Sequence, residues 1–347
     1  MEIPEGIEGD YLETKTNHLF FDVKGLRHPK DRKICFVRFY PNPEGDRLRE
    51  DLKYKKIYNL QKRYAFLKAK FPQYIFYSEQ LDLEVQGVEL SEIKKIYTPR
   101  DYIQRLRRQS EFTRLEQCSL ELCDLFIEEG KLLEKVIGIT GSPMVGLNKA
   151  HSDIDLIIYG TQASRDFQEH LYNILTSGGY CRGYNLEEYH SHYEWRVGGS
   201  DIPFDRFLQC EKRKQHQGMY KGFEFFIRYI KSPEDWKGGY YDYKYQNYGR
   251  IKVDARILDA KDALFTPCSY KIEVLKVLEM EIPFSDFQVN ALREVNSYRG
   301  RFCEQAIKGE RVSIEGKLEK VIYKNEEEYF RILLRDQTTD HFLLLRD

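Results

Sequence analysis

The 347-residue chain carries a formal net charge of −1, and 41% of its residues are hydrophobic and 32% charged. This composition excludes an intrinsically disordered chain, and the length suffices for two or three domains with their own cores. The near-neutral charge gives no overall attraction to nucleic acid, so any nucleic-acid surface has to be a local patch. No apolar run approaches the roughly 20 residues of a membrane span, and the acidic start MEIPEGIEGDY lacks the apolar stretch of a signal peptide. We therefore expect a cytoplasmic protein.

The 7 cysteines are irregularly spaced and form no CxxC pair, which favours reduced, mostly buried thiols over a disulfide framework. The abundance of Lys, Glu, Arg and Tyr, with only 4 Met, hints at a thermophilic source.

Taken in chain order, the first hundred residues predict a small α+β domain. The segments HLFFDVKGL and KICFVRFYP predict two strands around a turn. Residues 53–72 have apolar positions spaced for a helix that ends at Pro72. Residues 1–100 are therefore expected to form an N-terminal α+β domain.

Residues 101–265 predict a central domain that also mixes helices and strands. A helical pattern runs from residue 101 to Gly130, and the apolar strands KVIGITGS and SDIDLIIYG follow, joined by a turn rich in Gly, Pro, Asn and Ser. Helices are predicted for residues 164–179 and for PFDRFLQCEKRKQHQGMY, while KGFEFFIRYI and GRIKVDARIL look like two paired strands.

Residues 266–347 predict a β-rich domain, because their last part reads as strands of alternating pattern with polar turns between them. Such a meander suggests a small barrel or sheet similar to part of an OB-fold. The predicted fold class of the whole chain is α+β.

Two aspartates interrupt an otherwise apolar strand in the central domain. Asp153 and Asp155 share one strand face, since residues i and i+2 project to the same side. Two unpaired carboxylates this close would repel each other, and a hard divalent cation such as Mg²⁺ or Mn²⁺ removes that conflict. The pair therefore predicts a metal site at a sheet edge, although two surface aspartates capping a turn would give the same pattern.

A Gly-Ser pair precedes the aspartates by about a dozen residues. Gly141 permits close backbone approach, and the Ser142 hydroxyl with neighbouring N–H groups can hold phosphate oxygens. The combination favours the metal and phosphate interpretation over simple turn capping.

The order apolar strand, Gly-Ser, spacer, Asp-apolar-Asp-apolar within TGSPMVGLNKAHSDIDL resembles the signature of the DNA-polymerase-beta-like nucleotidyltransferase superfamily. Further segments, FDVKGLRHPKDR, FTPCSY and SYRGRFCEQA, resemble an uncharacterised archaeal group of predicted nucleotidyltransferases. The resemblance implies a mixed sheet with flanking helices as the catalytic core, between the N-terminal and C-terminal domains.

The superfamily also implies a third carboxylate on a later strand. We favour Asp254 in GRIKVDARILDA, because the alternation places Lys252, Asp254 and Arg256 on one polar face. The alternative is Asp205, which follows a proline and opens a predicted helix, where the helix dipole stabilises an acid without any catalytic role.

The implied mechanism is two-metal nucleotidyl transfer from an NTP, such as ATP, with release of pyrophosphate. Asp153, Asp155 and Asp254 would bind two Mg²⁺ (or Mn²⁺) ions and act as the catalytic residues. Nucleotide binding is assigned to Gly141, Ser142 and Arg256. Lys149, in the turn, could also neutralise phosphate, although an exposed turn lysine is more often simply solvated. The expected acceptor is an RNA end, such as that of tRNA, with a protein or small molecule as the second choice. A nucleotide- or nucleic-acid-binding protein on the same fold without activity is the alternative function.

Other patterns leave their alternatives open. The basic segments QRLRRQSEFTR and EKRKQHQ, and the Tyr-rich residues 240–248, suit either RNA binding or a solvated surface. Arg299 and Arg301, around a glycine, could contact phosphate or pair with acidic groups. His190 and His192, with cysteines on either side, lack a usual zinc-ligand spacing.

Overall fold

The computed structural model describes residues 3–281 and 288–345, which fold as α+β with several sheets. The chain divides into two compact units. Unit 1 comprises residues 1–78, 83–182 and 215–240, and unit 2 comprises residues 79–82, 183–214 and 241–347. None of the helices in the described ranges is long and apolar enough to cross a membrane.

The helices and strands of unit 1 are, in chain order, β1 (Tyr11–Thr14), β2 (Phe20–Val23), β3 (Arg32–Pro41), β4 (Arg47–Arg49), β5 (Leu52–Lys56), α1 (Leu60–Lys70), β6 (Ile75–Ser78), β7 (Leu83–Glu89), β8 (Ile93–Tyr97), α2 (Pro99–Leu106), α3 (Arg114–Glu128), β9 (Ile137–Thr140), β10 (Ile154–Tyr159), α4 (Thr161–Thr176), β11 (Cys181–Arg182), β12 (Gln217–Tyr220) and β13 (Phe223–Ile230).

The first sheet of unit 1 contains β1 to β8, in the order β4-β5-β3-β2-β1-β8 with β7 on β3 and β6 on β7. The predicted hairpin is confirmed, because β2 pairs antiparallel with β3. The predicted helix over residues 53–72 is only partly correct. Residues Leu52–Lys56 form β5, which pairs with β3 and β4, and the helix begins after Asn59, whose side chain accepts from the Lys62 amide. An N-cap of this kind fixes a helix start that apolar spacing alone does not locate.

The second sheet of unit 1 has the order β11-β12-β13-β10-β9. Strand β10 lies inside this sheet and not at its edge, antiparallel to β9 and parallel to β13. Its apolar residues are fully buried, which accounts for the apolar run around Asp155. The predicted helix over residues 101–129 is two helices, α2 and α3, which begin at the N-caps Thr98 and Thr113. The helix predicted for residues 164–179 is confirmed as α4.

Unit 2 contains α5 (Leu186–Val197), α6 (Phe204–Glu211), β14 (Tyr243–Asp262), β15 (Cys268–Met280), β16 (Leu292–Ser297), β17 (Arg311–Tyr323), β18 (Glu327–Leu334) and β19 (His341–Leu344). Strands β14, β15, β16, β18 and β17 are neighbours in that order, and β17 pairs again with β14, which closes a barrel. All these pairs are antiparallel except β16 with β18. Alternate residues of β14, such as Val253 and Ala255, fill the interior with those of the other strands.

Three expectations for the second half of the chain are wrong. KGFEFFIRYI forms β13 and GRIKVDARIL lies in β14, but β13 pairs with β10 and β12, whereas β14 pairs with β15 and β17. The segment predicted as one helix from Pro203 contains α6 and then β12. The last strand, β19, pairs with β17 and not with β18, so the C-terminal strands are not a simple meander. The three-domain division at residues 100 and 265 stays a prediction.

Candidate functional site

The Gly-Ser turn and the aspartate strand lie side by side in unit 1. Strand β9 ends at Thr140, which is the register partner of Asp155 on β10. Gly141 follows with a φ of +82°, and a Cβ built there would lie 2.4 Å from Oδ2 of Asp155. An alanine would therefore be strained in its backbone and would collide with the carboxylate. Gly141 is thus required by both the turn and the position of Asp155.

The turn between the two strands is held by its own hydrogen bonds. The Leu147 amide donates to the Ser142 carbonyl (2.9 Å), and the Gly146 amide donates to the Pro143 carbonyl (3.0 Å). The Ser142 hydroxyl donates to the Ser152 hydroxyl (3.4 Å). This predicted phosphate ligand therefore joins the beginning and the end of the turn.

Lys149, the other predicted phosphate ligand of the turn, forms an ion pair with Asp46, which directly precedes β4. Both side chains are substantially exposed. The Lys149 amide donates to the Ser152 hydroxyl (2.9 Å). The lysine therefore lies within the turn as expected, with its charge engaged by a surface carboxylate.

Asp153 and Asp155 differ in their surroundings. Asp153, just before β10, is exposed, whereas Asp155 is partly buried. Burial raises the pKa of Asp155, against the lowering effect of the nearby Arg228, Lys56 and Arg38. The Asp155 carboxylate forms no ion pair within 4 Å and no hydrogen bond with any residue of 3–281 or 288–345. A carboxylate with a raised pKa and no direct partner is a frequent mark of a functional site.

Cations from three strands surround Asp155. Arg228 of β13 pairs with Glu8 (2.8 Å), and the Nε atom of Arg38 on β3 lies 4.0 Å from a carboxylate oxygen of Asp22. Lys56 of β5 has its pKa lowered to about 8, first by burial and then by Arg38. This positive surrounding favours anions next to the carboxylates, as phosphate groups would require.

The ammonium group of Lys56 is placed against aromatic rings. It lies 4.7 Å from the ring centre of Tyr58 and 5.9 Å from that of Phe39. The Tyr58 hydroxyl also accepts from Arg47 (3.3 Å), and the tyrosine is 65% exposed. The cation is therefore held in place by ring faces.

Sequence reasoning missed Glu224, the acidic residue on the strand next to β10. Ile154 and Phe225 are register partners in the parallel pair β10–β13, so the preceding residues, Asp153 and Glu224, are neighbours across the strands. Glu224 is exposed. The Phe-Glu-Phe alternation in KGFEFFIRYI was the available signal, because it gives an acidic residue the same face as the aspartates once the two strands pair.

The structure places Asp254 and Arg256 in unit 2, on β14. Their predicted alternation with buried residues is confirmed. Asp254 is the register partner of Lys276 on β15 and Ser313 on β17, and Arg256 lies 3.6 Å from Glu273. Asp254 does not share the sheet of β10, so its membership in the site stays a prediction. The alternative, Asp205, lies in the first turn of α6 as expected, also in unit 2.

Each of the two basic segments contains a cation that pairs with acidic groups. In the first, Arg107 pairs with Asp124 (2.5 Å) and Glu134 (2.9 Å). In the second, the buried Lys214 pairs with Glu211. Arg107 therefore fits the surface interpretation, whereas Lys214 is a buried structural charge. Two cavities, of about 130 and 350 Å³, lie beside Asn17 in the first sheet.

The chain is similar to one uncharacterised archaeal protein along nearly its whole length. It is 27% identical over 333 residues to the protein described as "Uncharacterized protein MJ1086" of Methanocaldococcus jannaschii. The match covers 94% of each of the two chains. No family model matches the chain, and no solved structure matches it.

Proposed function

We propose that unit 1 is a metal-dependent nucleotidyltransferase with a polymerase-beta-like core. The observation that carries this proposal is the contact of the Gly141 turn with Asp155, a carboxylate with a raised pKa that no described side chain neutralises directly. Three features support the proposal: Gly-Ser directly after β9, the segment Asp-Ile-Asp at the start of β10, and an acidic residue on the neighbouring strand β13.

The residues present fit divalent cations. Asp153 and Asp155 offer hard oxygen donors on one face of β10, and Glu224 is the neighbour of Asp153 on β13. In the described ranges, no group of three His, Cys, Asp or Glu side chains is close enough to hold an ion alone. Mg²⁺ commonly binds through one or two carboxylates together with substrate phosphates, so this donor set suits an ion that arrives with a triphosphate.

Each residue has a distinct part in the proposed reaction. When bound, Mg²⁺ or Mn²⁺ supplies charge neutralisation at the attacking and leaving oxygens of an in-line displacement. Asp153 and Asp155 would hold the cations, and Glu224 would be the third carboxylate. Arg38 and Lys56 stabilise the negative charge that develops on the phosphates.

The transfer itself makes and breaks one bond each. The acceptor oxygen forms a bond to the α-phosphorus, and the bond from that phosphorus to the bridging oxygen breaks. Pyrophosphate leaves with the electron pair, and the hydroxyl proton passes to a carboxylate of the site or to water. The proposed acceptor is an RNA end, such as that of tRNA, and the proposed role of the barrel of unit 2, as an OB-like module, is to hold it.

The test is incubation with each α-³²P-labelled NTP, Mg²⁺ and total RNA. We expect label in the RNA. In the double variant Asp153→Asn with Asp155→Asn, we expect the transfer rate to fall by about 10²–10³-fold. The matched control is Asp31→Asn, an exposed carboxylate of the first sheet that pairs with Arg32. Label in a protein or small molecule would move the acceptor to that class. Two results together would instead support a binding protein without activity: no transfer of label, and metal-independent NTP binding that the double variant retains.

A further inference from the structure

Three arginines of unit 2 lie together, and we call Arg196, Arg299 and Arg301 the arginine cluster. Arg196 is on α5, while Arg299 and Arg301 follow β16. The Nη1 atom of Arg301 donates to the carbonyl oxygens of Gln337 (2.6 Å) and Arg196 (3.5 Å). Nη1 of Arg299 donates to the Arg335 carbonyl (2.8 Å). The guanidinium groups of Arg299 and Arg301 are thus fixed by main-chain oxygens and not by carboxylates.

Asp336 and Asp340, two acidic groups near the cluster, are engaged with other residues. Asp336 accepts from the amides of Thr338 (2.8 Å) and Thr339 (3.0 Å), and Asp340 pairs with Arg250 (2.8 Å). Within the described part of the chain, neither Arg299 nor Arg301 has a carboxylate oxygen within 4 Å. Of the two options that the sequence left for Arg299 and Arg301, pairing with acidic groups is therefore disfavoured, and a phosphate contact is favoured.

The cluster is also electrostatically strained. Burial and the neighbouring Arg196 lower the pKa of Arg299. Burial and Arg299 lower the pKa of Arg301 to about 10. Like charges held this close gain stability when an anion binds between them.

A buried polar network contacts the arginine cluster and holds it in place. Lys214 donates to the Arg301 carbonyl (2.5 Å) and pairs with Glu211. Glu211 lies 3.4 Å from His192, and Nε of Arg196 donates to Nε2 of His192 (3.3 Å). Since α5 and the segment after β16 are joined through these contacts, the arginines are organised before any ligand arrives.

An exposed indole lies directly beside the arginines. Trp195 is 63% exposed, its carbonyl accepts from Gln337 (2.9 Å), and the Arg196 guanidinium stacks 4.4 Å from its ring centre. Exposed aromatic faces combined with arginines are typical of sites that stack bases and contact the backbone of single strands. A free phosphate or a phosphorylated side chain would make no use of the indole.

We propose that the arginine cluster binds the phosphate backbone of a single-stranded nucleic acid, and that Trp195 stacks on one of its bases. Arg196 and Arg299, which are partly exposed, contact phosphates, while the buried Arg301 positions them. This site goes beyond the proposed function, because it binds a strand whether or not unit 1 transfers nucleotides.

The test is fluorescence anisotropy of a labelled 12-nucleotide single strand, RNA or DNA, with the full chain and without NTP or divalent metal. Arg299→Gln and Arg196→Gln should each weaken binding about tenfold and reduce the salt slope by about one unit, as expected for one lost phosphate contact. Trp195→Ala should also weaken strand binding about tenfold. In a Trp236→Phe background, strand binding should quench the remaining Trp195 fluorescence. The matched control is Arg293→Gln, since Arg293 is exposed on β16 and paired with Glu327 (2.7 Å).

The outcomes separate this site from the proposed function. Thermal melting identifies any variant that fails to fold, and the Trp195 signal of the otherwise native chain remains as an independent readout. Binding unchanged in both arginine variants, equal loss in the control, or no Trp195 quenching would each overturn the proposal. A phosphorylated peptide that displaces the strand at lower concentration than unlabelled RNA or DNA would also overturn it. Equal binding by RNA and DNA supports a backbone site, and preference for RNA supports a contact with the 2′-hydroxyl.

Discussion

Glu319 in unit 2 and Asp155 in unit 1 are acidic residues within sheets, and their partners differ. Glu319 on β17 is buried and receives Lys317 at 2.7 Å and Arg331 at 2.8 Å. Burial alone would raise the pKa of Glu319, but Arg331 and Lys317 outweigh it and lower that pKa. Asp155 is near Arg228, Lys56 and Arg38, yet the pKa of Asp155 remains raised.

The difference separates a structural charge from one available to a ligand. In the Glu319 network the donors Lys317 and Arg331 are satisfied on the strand face opposite the barrel core, and Arg331 also covers the Tyr245 ring at 3.9 Å. Around Asp155 the cation Arg228 is engaged with another acid, Glu8, so its charge reaches Asp155 only at longer range. An ionised side chain without a direct partner lowers the stability of the fold. Proteins retain such side chains mainly where a ligand offsets the loss.

The largest effect is expected at the closed network. Glu319→Gln leaves Lys317 and Arg331 buried without their counter-charge, and we expect a loss of about 3–5 kcal/mol in the free energy of unfolding. Because the folded pKa of Glu319 is lowered, its stabilisation is present above the unfolded pKa and is lost as pH falls through the folded pKa. Urea unfolding across the acid range checks both statements. An unchanged free energy of unfolding would mean that the two units do not differ in this way.

The second effect concerns the turn against Asp155. Gly141→Ala should cost about 1–2 kcal/mol for the left-handed backbone, and more for the collision with the Asp155 carboxylate. The matched control is Gly178→Ala, since Gly178 has a similar φ of +79° and a Cβ there meets no described atom within 4 Å. The difference between the two variants in urea unfolding isolates the approach to Asp155. Equal costs would contradict the close fit of the turn.

The third effect has the opposite sign to the first. For an acid with a raised folded pKa, stability is fully present below the unfolded pKa and declines as pH rises through the folded pKa. Asp155→Asn should therefore raise the melting temperature at pH 7, and the gain should vanish in acid. Mg²⁺ with a non-hydrolysable NTP analogue, at ten times its Kd, should stabilise the wild type by about 1.4 kcal/mol. The variant should lack this stabilisation. A variant less stable than wild type at pH 7 would place Asp155 among the structural charges.

The parts of the fold that the sequence predicted are those set by local signals. The Gly141-Ser142 turn, the strand around Asp155 and the helix α4 follow from residue alternation, helical spacing and glycine, and the structure confirms them. Strand pairing depends on packing between distant segments, so the partners of β13 and β14 were not predictable from their own residues. The helix expected from residue 53 starts later than predicted for a related reason, because pairing with β3 outweighed apolar spacing in Leu52–Lys56.

The candidate site shows the same division. Asp153 and Asp155 were recognisable from a short pattern, whereas Glu224 became a candidate only when β13 was seen beside β10. The cations Arg38 and Lys56 come from the N-terminal sheet, more than ninety residues earlier in the chain, and no local pattern connects them with the aspartates. The partners of Arg299 and Arg301 likewise depend on a loop that follows β18.

The smallest effect is expected at Lys149. This residue tests whether the turn beside Asp155 also offers a charge to a ligand. Its ion pair with Asp46 joins two exposed side chains, so Lys149→Ala should change the free energy of unfolding by less than about 1 kcal/mol. If the lysine exchanges Asp46 for a phosphate, the same variant should weaken binding of the metal–NTP analogue, and Asp46→Asn should strengthen it by removing the competing carboxylate. Calorimetric titration of both variants measures the two changes. Opposite shifts would make Lys149 part of the phosphate site, whereas unchanged affinity in both would assign the pair to the surface and confine the site to the strand face of Asp155.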